Sequence, residues 1–176
     1  MPAMVIGQGT QPVLGFNYGA KRWNLAIRTI KYAYIAATAL SVAGFFVVYF
    51  IPEVLIRIFT DDAQLISLSI DCARGVLLAL PLIGPMMVSL TIFQATGKAG
   101  RAFLGGIARP IIFLIPSALI LPRFLGLSGL WYAFPTADFL ALIVVISMVI
   151  PITKQFSRAA AVDREAKLEP SRVTVN

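Results

Sequence analysis

The sequence predicts an all-α integral membrane protein with four full transmembrane helices and the end of a fifth. Hydrophobic residues make up 59% of its 176 residues, and charged residues only 13%. Soluble domains are about 45–50% apolar and about 25% charged. Long uncharged runs alternate with short basic clusters. Because an open sheet in lipid would leave backbone groups unpaired, helices are the expected state of these runs.

Four runs are each long enough to cross the hydrocarbon core of a bilayer. The first, Tyr32–Ile51, has twenty residues without a charge and would span about 30 Å at a rise of about 1.5 Å per residue. The other three are Gly75–Gly97, Ala102–Pro122, which is interrupted only by Arg109, and Phe124–Thr153, which is interrupted only by Asp138.

Three further segments surround these spans. Residues 1–20 are rich in Gly, Pro and Gln, and we interpret them as the end of a truncated helix followed by a re-entrant or interfacial turn. So abrupt a start suggests that the natural N-terminal part is missing. Pro52–Gln64 suits a short interfacial helix. Residues 21–153 then form the four-helix part, and residues 154–176 a polar tail, helical at its start and disordered from about Ala166.

The basic residues predict the orientation of the spans. Eleven lie on one side and two, Arg57 and Arg123, on the other. The positive-inside rule places the eleven, and with them the C-terminus, in the cytoplasm of a protein of the plasma (inner) membrane. The eleven are Lys21, Arg22, Arg28, Lys31, Lys98, Arg101, Lys154, Arg158, Arg164, Lys167 and Arg172.

The residue content argues against an enzyme. The chain has no histidine and one cysteine, so neither a metal cluster nor a catalytic triad can be built from the usual residues. Gly97-Lys98 is followed by Ala99 and lacks the earlier glycine of a phosphate loop. We therefore expect no enzyme activity, no cofactor and no nucleic-acid partner, and we attribute the net charge of +7 to contact with the bilayer.

Asp138 is the most informative single residue, because it lies near the middle of an apolar span. A carboxylate there costs at least about 2.5–3.5 kcal/mol unless it faces protein or water. It could be a proton or cation site or part of a gate. Alternatively it is a structural anchor paired with Arg109, which lies at a similar depth in the preceding antiparallel span. Both interpretations remain open at the level of the sequence.

Other polar residues and prolines bear on function more weakly. Gln94 and Gln11 lie at or near membrane depth and could line a polar cavity, although such residues more often hydrogen-bond to neighbouring helices. Prolines inside the spans remove backbone hydrogen bonds, and five of them modestly favour a protein that moves. These are Pro81, Pro85, Pro110, Pro116 and Pro135.

Three segments resemble one family. Residues 7–21, GQGTQPVLGFNYGAK, resemble the segment joining the eighth and ninth helices of multidrug and toxic compound extrusion (MATE) transporters. Residues 93–101, FQATGKAGR, resemble that family's loop between helices ten and eleven, and residues 129–138, GLWYAFPTAD, resemble its twelfth helix. The likeness extends from about Gly7 to Thr153.

The resemblance implies a twelve-helix, two-lobe transporter that works by alternating access and exports organic cations in exchange for H⁺ or Na⁺. This chain would be the last four helices of the second lobe plus the end of the eighth helix. Its partner would be a missing N-terminal lobe or another membrane chain. Some members carry an acid in the middle of helix ten, but residues 75–94 contain none, so the coupling ion stays unassigned.

Two alternatives remain beside a multidrug antiporter. One is a flippase of lipid-linked sugars from the same broad superfamily, which would need a wide, strongly cationic cavity; here Arg109, and at most Arg74, could contribute to it. The other is a truncated membrane chain without transport of its own, which persists as a fragment or pairs with another subunit.

Overall fold

The computed structural model describes residues 2–168, and every regular element in that range is a helix. The predicted all-α fold is therefore confirmed. In chain order the elements are α1 (Pro2–Gly19), α2 (Trp23–Phe50), α3 (Pro52–Arg57), α4 (Ala63–Leu77), α5 (Leu80–Ala95), α6 (Ala99–Ile107), a π-helical segment (Ala108–Leu114), α7 (Ile115–Leu125) and α8 (Leu127–Leu168).

Three helical stretches within the described residues are long and apolar enough to cross a membrane. They are α2, the continuous stretch Ala99–Leu125, and Ser128–Glu165 within α8. The pair α4 and α5 meets the same criterion when taken together, but it is bent by 42° at the break between the two helices. Counting this bent pair as one span gives four spans, the number that the sequence predicts.

The second predicted span is therefore not one straight helix. The uncharged run Gly75–Gly97 begins inside α4, which ends at Leu77, and continues as α5 from Leu80. Pro81 stands in the first turn of α5, where its missing N–H is tolerated, while its ring prevents α4 from continuing. Asp71 lies ahead of this break, in the second half of α4.

The third span contains a π-helical segment around Pro110. Proline removes one backbone donor and its ring clashes with the carbonyl four residues earlier. A wider turn relieves that clash, and π-helical turns of this kind are rare and often occur at functional sites. Pro116 then opens α7 within its first turn, so the helix returns to α-helical geometry beyond Leu114.

The N-terminal segment is helical over nearly its whole length. The structure shows one helix, α1, that continues through Pro12 to Gly19, so no re-entrant turn lies within residues 2–19. The chain reverses only at Ala20 and Lys21, and Lys21 has a φ of 57°. A single residue in the left-handed region ends the helix and directs the chain into α2.

Two other predicted boundaries also change. The interfacial helix is shorter than predicted, because α3 ends at Arg57 and the Asp62 carboxylate caps α4, accepting from the Gln64 N–H at 2.8 Å. The tail begins as a helix, since α8 continues to Leu168. The disorder predicted from about Ala166 is therefore not found for residues 166–168, and residues 169–176 lie outside the described residues.

The buried core lies where α1, α2, α5 and α8 meet. Small residues on α2 recur at helical spacing and bring neighbouring helices close together. By contrast, large apolar side chains face outward; Phe124 is 82% and Phe50 71% exposed, as expected for surfaces that contact lipid. The core cluster consists of Leu14, Ala26, Ile30, Ala33, Ala37, Val88, Ile92, Phe93, Val145, Val149, Ile152 and Phe156.

Candidate functional site

Asp138 is buried on the inner face of α8. Its side chain is 3% exposed, and Ala133, Ala137 and Ala141 beside it are also buried. It lies eleven residues after the start of α8, which is about 16 Å along the helix at about 1.5 Å per residue. The carboxylate is thus placed deep within the span, as the sequence predicts.

The partner of Asp138 is Arg109 in the π-helical segment. The Arg109 Nε donates to Asp138 Oδ1, and Nη2 donates to Oδ2 at 3.2 Å. Two roughly parallel charge-assisted bonds give the pair a fixed geometry. The predicted pairing of these residues is present in the structure. Whether the carboxylate also takes a proton or a cation stays a prediction.

The two partners differ in exposure, which determines how the pair could open. Asp138 is nearly inaccessible, whereas the Arg109 side chain is 36% exposed. Separating the pair would leave the carboxylate without compensation inside the protein, a costly state in a membrane. Protonation of Asp138, or replacement of the guanidinium by another cation, would remove that cost.

The two glutamine candidates lie away from this pair. Gln11 is partly buried on α1, which packs against α2 and α5, whereas the π-helical segment packs against α6, α7 and α8. Gln94 is exposed one residue before the C-terminal end of α5. The structure therefore does not bring either glutamine together with Arg109 and Asp138, and their role in lining a cavity stays a prediction.

A polar hydrogen-bond chain joins α2 to α5 near the core. Ser89 is fully buried and its hydroxyl donates to the Pro85 carbonyl at 2.7 Å. The Tyr34 hydroxyl therefore donates to Ser89 Oγ, also at 2.7 Å. The Tyr34 and Ser89 hydroxyls therefore both have hydrogen-bond partners. These bonds hold α2 and α5 in register without leaving either hydroxyl unpaired in the core.

The loop between α5 and α6 carries one of the motifs that resemble MATE transporters. Gly97 has a φ of 69°, a conformation that glycine adopts without steric cost. Lys98 Nζ donates to Gln155 Oε1 at 3.2 Å, which connects the loop to α8. Partial burial and the nearby Arg101 charge lower the pKa of Lys98.

A cleft between α2, α4 and α8 is the feature that sequence reasoning missed. It has a volume of about 400 Å³ and both charged and aromatic walls. Its aromatic residues lie near span ends, where the sequence favours interpretation as interfacial anchors, and only the packing of the helices shows that they share a cavity. The lining residues are Tyr49, Leu68, Asp71, Arg74, Gly75, Leu78, Ser128, Trp131 and Tyr132.

Gly75 allows the cleft to form by letting α4 approach α8. A Cβ atom added at Gly75 would lie 2.8 Å from the Trp131 Cβ, which is closer than carbon atoms can pack without movement. The side chain of Asp71, one turn earlier on the same helix, and that of Arg74, the residue before Gly75, border the space that opens beside this contact.

The charges of the cleft are not neutralised within the described part of the chain. Glu53 pairs with Arg57 and Arg109 pairs with Asp138, whereas neither Asp71 nor Arg74 has an ion-pair partner among residues 2–168. Both side chains are exposed to the cleft and its mouth. Among residues 2–168, no group of three or more His, Cys, Asp and Glu side chains could hold a metal ion.

Comparison with known proteins agrees with this architecture. Residues 1–120 match the MatE family model. The chain is 24% identical over 149 residues to the Multidrug export protein MepA of Staphylococcus haemolyticus (strain JCSC1435), covering 82% of this chain and 32% of that protein.

Solved structures have the same fold as this chain. A chain described only as protein A is 38% identical, with a TM-score of 0.80, and the match covers 86% of this chain and 34% of that one. An outward-facing multidrug resistance MATE family transporter of the MOP superfamily is 20% identical, with a TM-score of 0.82, and the match covers 89% and 36%. The chain thus spans about a third of the length of these relatives, and it belongs to the MatE family of multidrug transporters.

Proposed function

We propose that the chain forms part of a cation-coupled multidrug antiporter that exports organic cations by alternating access, in exchange for H⁺ or Na⁺. The observation that carries this proposal is the family match over residues 1–120, joined to a relative named as a multidrug export protein. Because the chain spans about a third of that relative, the complete transport path would include helices from the remaining two thirds or from another chain.

The Arg109–Asp138 pair supports ion coupling. A buried carboxylate in a membrane span is costly unless compensated, and such residues commonly mark ion pathways. In this proposal, an entering proton or sodium ion competes with Arg109 for Asp138. The released guanidinium, anchored in the π-helical segment, would then let α6 and α7 shift relative to α8.

The polar character of the cleft favours drug transport over the flippase alternative. A flippase of lipid-linked sugars would need a strongly cationic cavity to hold a pyrophosphate group. The cleft instead combines one guanidinium with one carboxylate and three aromatic rings. Aromatic walls with few charged groups suit amphipathic drug-sized molecules.

Efflux from cells tests the proposal. The chain is produced in bacteria that lack their main multidrug pumps, either alone or together with the two thirds of the Staphylococcus haemolyticus protein that it does not match. Copurification first establishes whether the two parts assemble. The assembled pair is expected to extrude ethidium, and dissipation of the proton or the sodium gradient is expected to stop it.

A matched pair of variants makes the experiment specific. Asp138→Asn removes the charge of the buried pair, whereas Glu53→Gln removes an equal charge from the exposed helix α3. Only the first is expected to abolish gradient-driven efflux. If cells with the assembled pair extrude ethidium no faster than cells without it, a transport role is refuted. Efflux that survives dissipation of both gradients would refute ion coupling.

A further inference from the structure

The start of α6 brings basic side chains and free backbone donors together, beside an exposed apolar face of the same helix. We propose that it binds an anionic phospholipid, with the lipid phosphate at the start of α6 and an acyl chain along the outer face of that helix. The inference goes beyond drug export, because a lipid held there would be a resident partner of the chain and not a transported substrate.

The place of the loop between α5 and α6 is the first step of the argument. Helix α5 ends at Ala95, and the next membrane-crossing stretch begins at Ala99. The residues between them therefore lie where two spans meet the headgroup region of one leaflet. The distribution of basic residues predicts that this is the cytoplasmic leaflet, where anionic lipids create a negative surface potential.

Two cations with few partners stand at this place. Lys98 Nζ donates to Gln155 Oε1 at 3.2 Å, which orients the ammonium group and uses one of its three donors. The Arg101 guanidinium forms no hydrogen bond with the described residues, and its buried Nη1 has no acceptor among them. Burial and the Arg101 charge lower the pKa of Lys98, so the two cations repel each other. An anion beside both would relieve this repulsion and give the guanidinium an acceptor.

The backbone at the start of α6 adds donors that suit a phosphate group. The amide groups of Ala99 and Gly100 have no acceptor among the described residues, and the Lys98 side chain does not cap the helix. Nothing lies within 4 Å of a Cβ atom added at Gly97 or at Gly100, so the approach to these amide groups is open. Free amide groups at a helix start attract phosphate through hydrogen bonds and the helix dipole.

The apolar face of α6 favours a lipid over a free phosphate. Phe103 is 67% and Leu104 50% exposed. They stand three and four residues after Gly100, so all three residues lie on one face of the helix. A phosphate bound at the helix start would thus have its acyl chain directed along this face into the hydrocarbon core. A soluble phosphate would satisfy the donors but leave the apolar face without contact.

Native mass spectrometry of the purified 176-residue chain in a non-ionic detergent tests the proposal, because it resolves each bound lipid and gives its affinity. The probes are phosphatidylglycerol and phosphatidylcholine with the same acyl chains, which differ in net charge. We expect phosphatidylglycerol to bind more tightly by about tenfold or more, since two basic residues attract its negative charge. Glycerol 3-phosphate at the same concentration should not displace it.

Matched variants locate the bound lipid. In the double variant Lys98→Gln/Arg101→Gln, the preference for phosphatidylglycerol should fall to about twofold or less. Arg28→Gln/Lys31→Gln removes the same two charges at the same spacing from exposed positions of α2, and it should leave the preference unchanged. Ala99→Pro removes one amide donor at the first helical position, where proline is tolerated, and should weaken phosphatidylglycerol binding without changing any charge.

Four results would overturn the proposal. The first two are equal affinity for the two lipids and an α2 double variant that lowers the preference as much as the α6 double variant does. The third is unchanged phosphatidylglycerol binding in Ala99→Pro, and the fourth is displacement of the lipid by glycerol 3-phosphate at the same concentration, which would indicate a site for free phosphate. Because the measurement requires no transport, its failure is separate from a failure of ethidium efflux.

Discussion

At the scale of single residues, the burial of Asp138 beside Arg109 is the most consequential feature of the chain. The sequence predicts that a carboxylate in an apolar span must be compensated, and it identifies the only other charge at a similar depth. It could not predict the bidentate geometry. That geometry depends on the π-helical turn, whose local backbone is not encoded by hydropathy.

Removing one partner of the Arg109–Asp138 pair should lower the free energy of unfolding more than removing both. Arg109→Met leaves the Asp138 carboxylate buried without compensation, and we expect a loss of about 3–5 kcal/mol in the free energy of unfolding. The double variant with Asp138→Asn should lose less than the single variant. Unfolding in mixed detergent micelles measures these two variants and the Asp138→Asn single variant, and strictly additive losses would show that the two residues are not coupled.

The Tyr34–Ser89 hydrogen bond should contribute modestly to the free energy of unfolding. Tyr34→Phe removes the donor but leaves Ser89 bonded to the Pro85 carbonyl, so no buried hydroxyl loses all its partners. We expect a loss of about 0.6 kcal/mol, and at most about 1.7 kcal/mol, as for other hydrogen bonds between membrane helices. The same unfolding measurement in micelles checks it, and a loss well above this range would mean that the tyrosine has a further role.

At the scale of elements, hydropathy predicts the spans but not the irregularities within them. The run Gly75–Gly97 is uncharged throughout, so no charged residue marks the break between α4 and α5. Pro81 is the relevant signal, but membrane helices tolerate proline because neighbouring groups satisfy the freed backbone. Whether a given proline breaks, widens or merely bends a helix is decided by tertiary packing.

Close packing between α2 and α5 gives a test at this scale. A Cβ at Gly84 would clash with the Ala37 carbonyl and lie 2.7 Å from the Ser41 Oγ, whereas nothing lies within 4 Å of one at Gly106. We expect Gly84→Ala to lower stability by about 1–3 kcal/mol through overpacking. Gly106→Ala should be neutral or stabilising, because alanine favours the helix. Thermal melts followed by circular dichroism compare them, and equal melting temperatures would contradict this packing.

At the scale of the whole molecule, the sequence predicts the fold class, four spans and the family, because each rests on long patterns or extended motifs. The cleft was not predictable. Its walls come from α2, α4 and α8, which are far apart in the chain. In the sequence its charged residues, Asp71 and Arg74, resemble ordinary residues that flank a membrane span, and only the packing of the helices shows that they line a cavity. Gln94 shows the opposite case, since a polar residue at membrane depth proves to be exposed near a helix end.

The positive-inside orientation is testable on the whole chain. In a Cys72→Ser background, which removes the single cysteine, a cysteine is introduced either at Asp61, between α3 and α4, or at Arg158, in α8. A membrane-impermeant maleimide added to intact cells should label position 61 but not position 158. Labelling of position 158 before permeabilisation would reverse the predicted topology.

Exchange of an ion for a drug tests the central claim most directly. Inside-out vesicles that contain the chain assembled with its complementary two thirds are loaded with H⁺ or Na⁺, and ethidium uptake is recorded together with release of the loaded ion. We predict that one of the two loaded ions drives uptake, that its release accompanies uptake, and that Asp138→Asn abolishes both. Ethidium uptake that proceeds at the same rate with neither ion gradient would contradict the account.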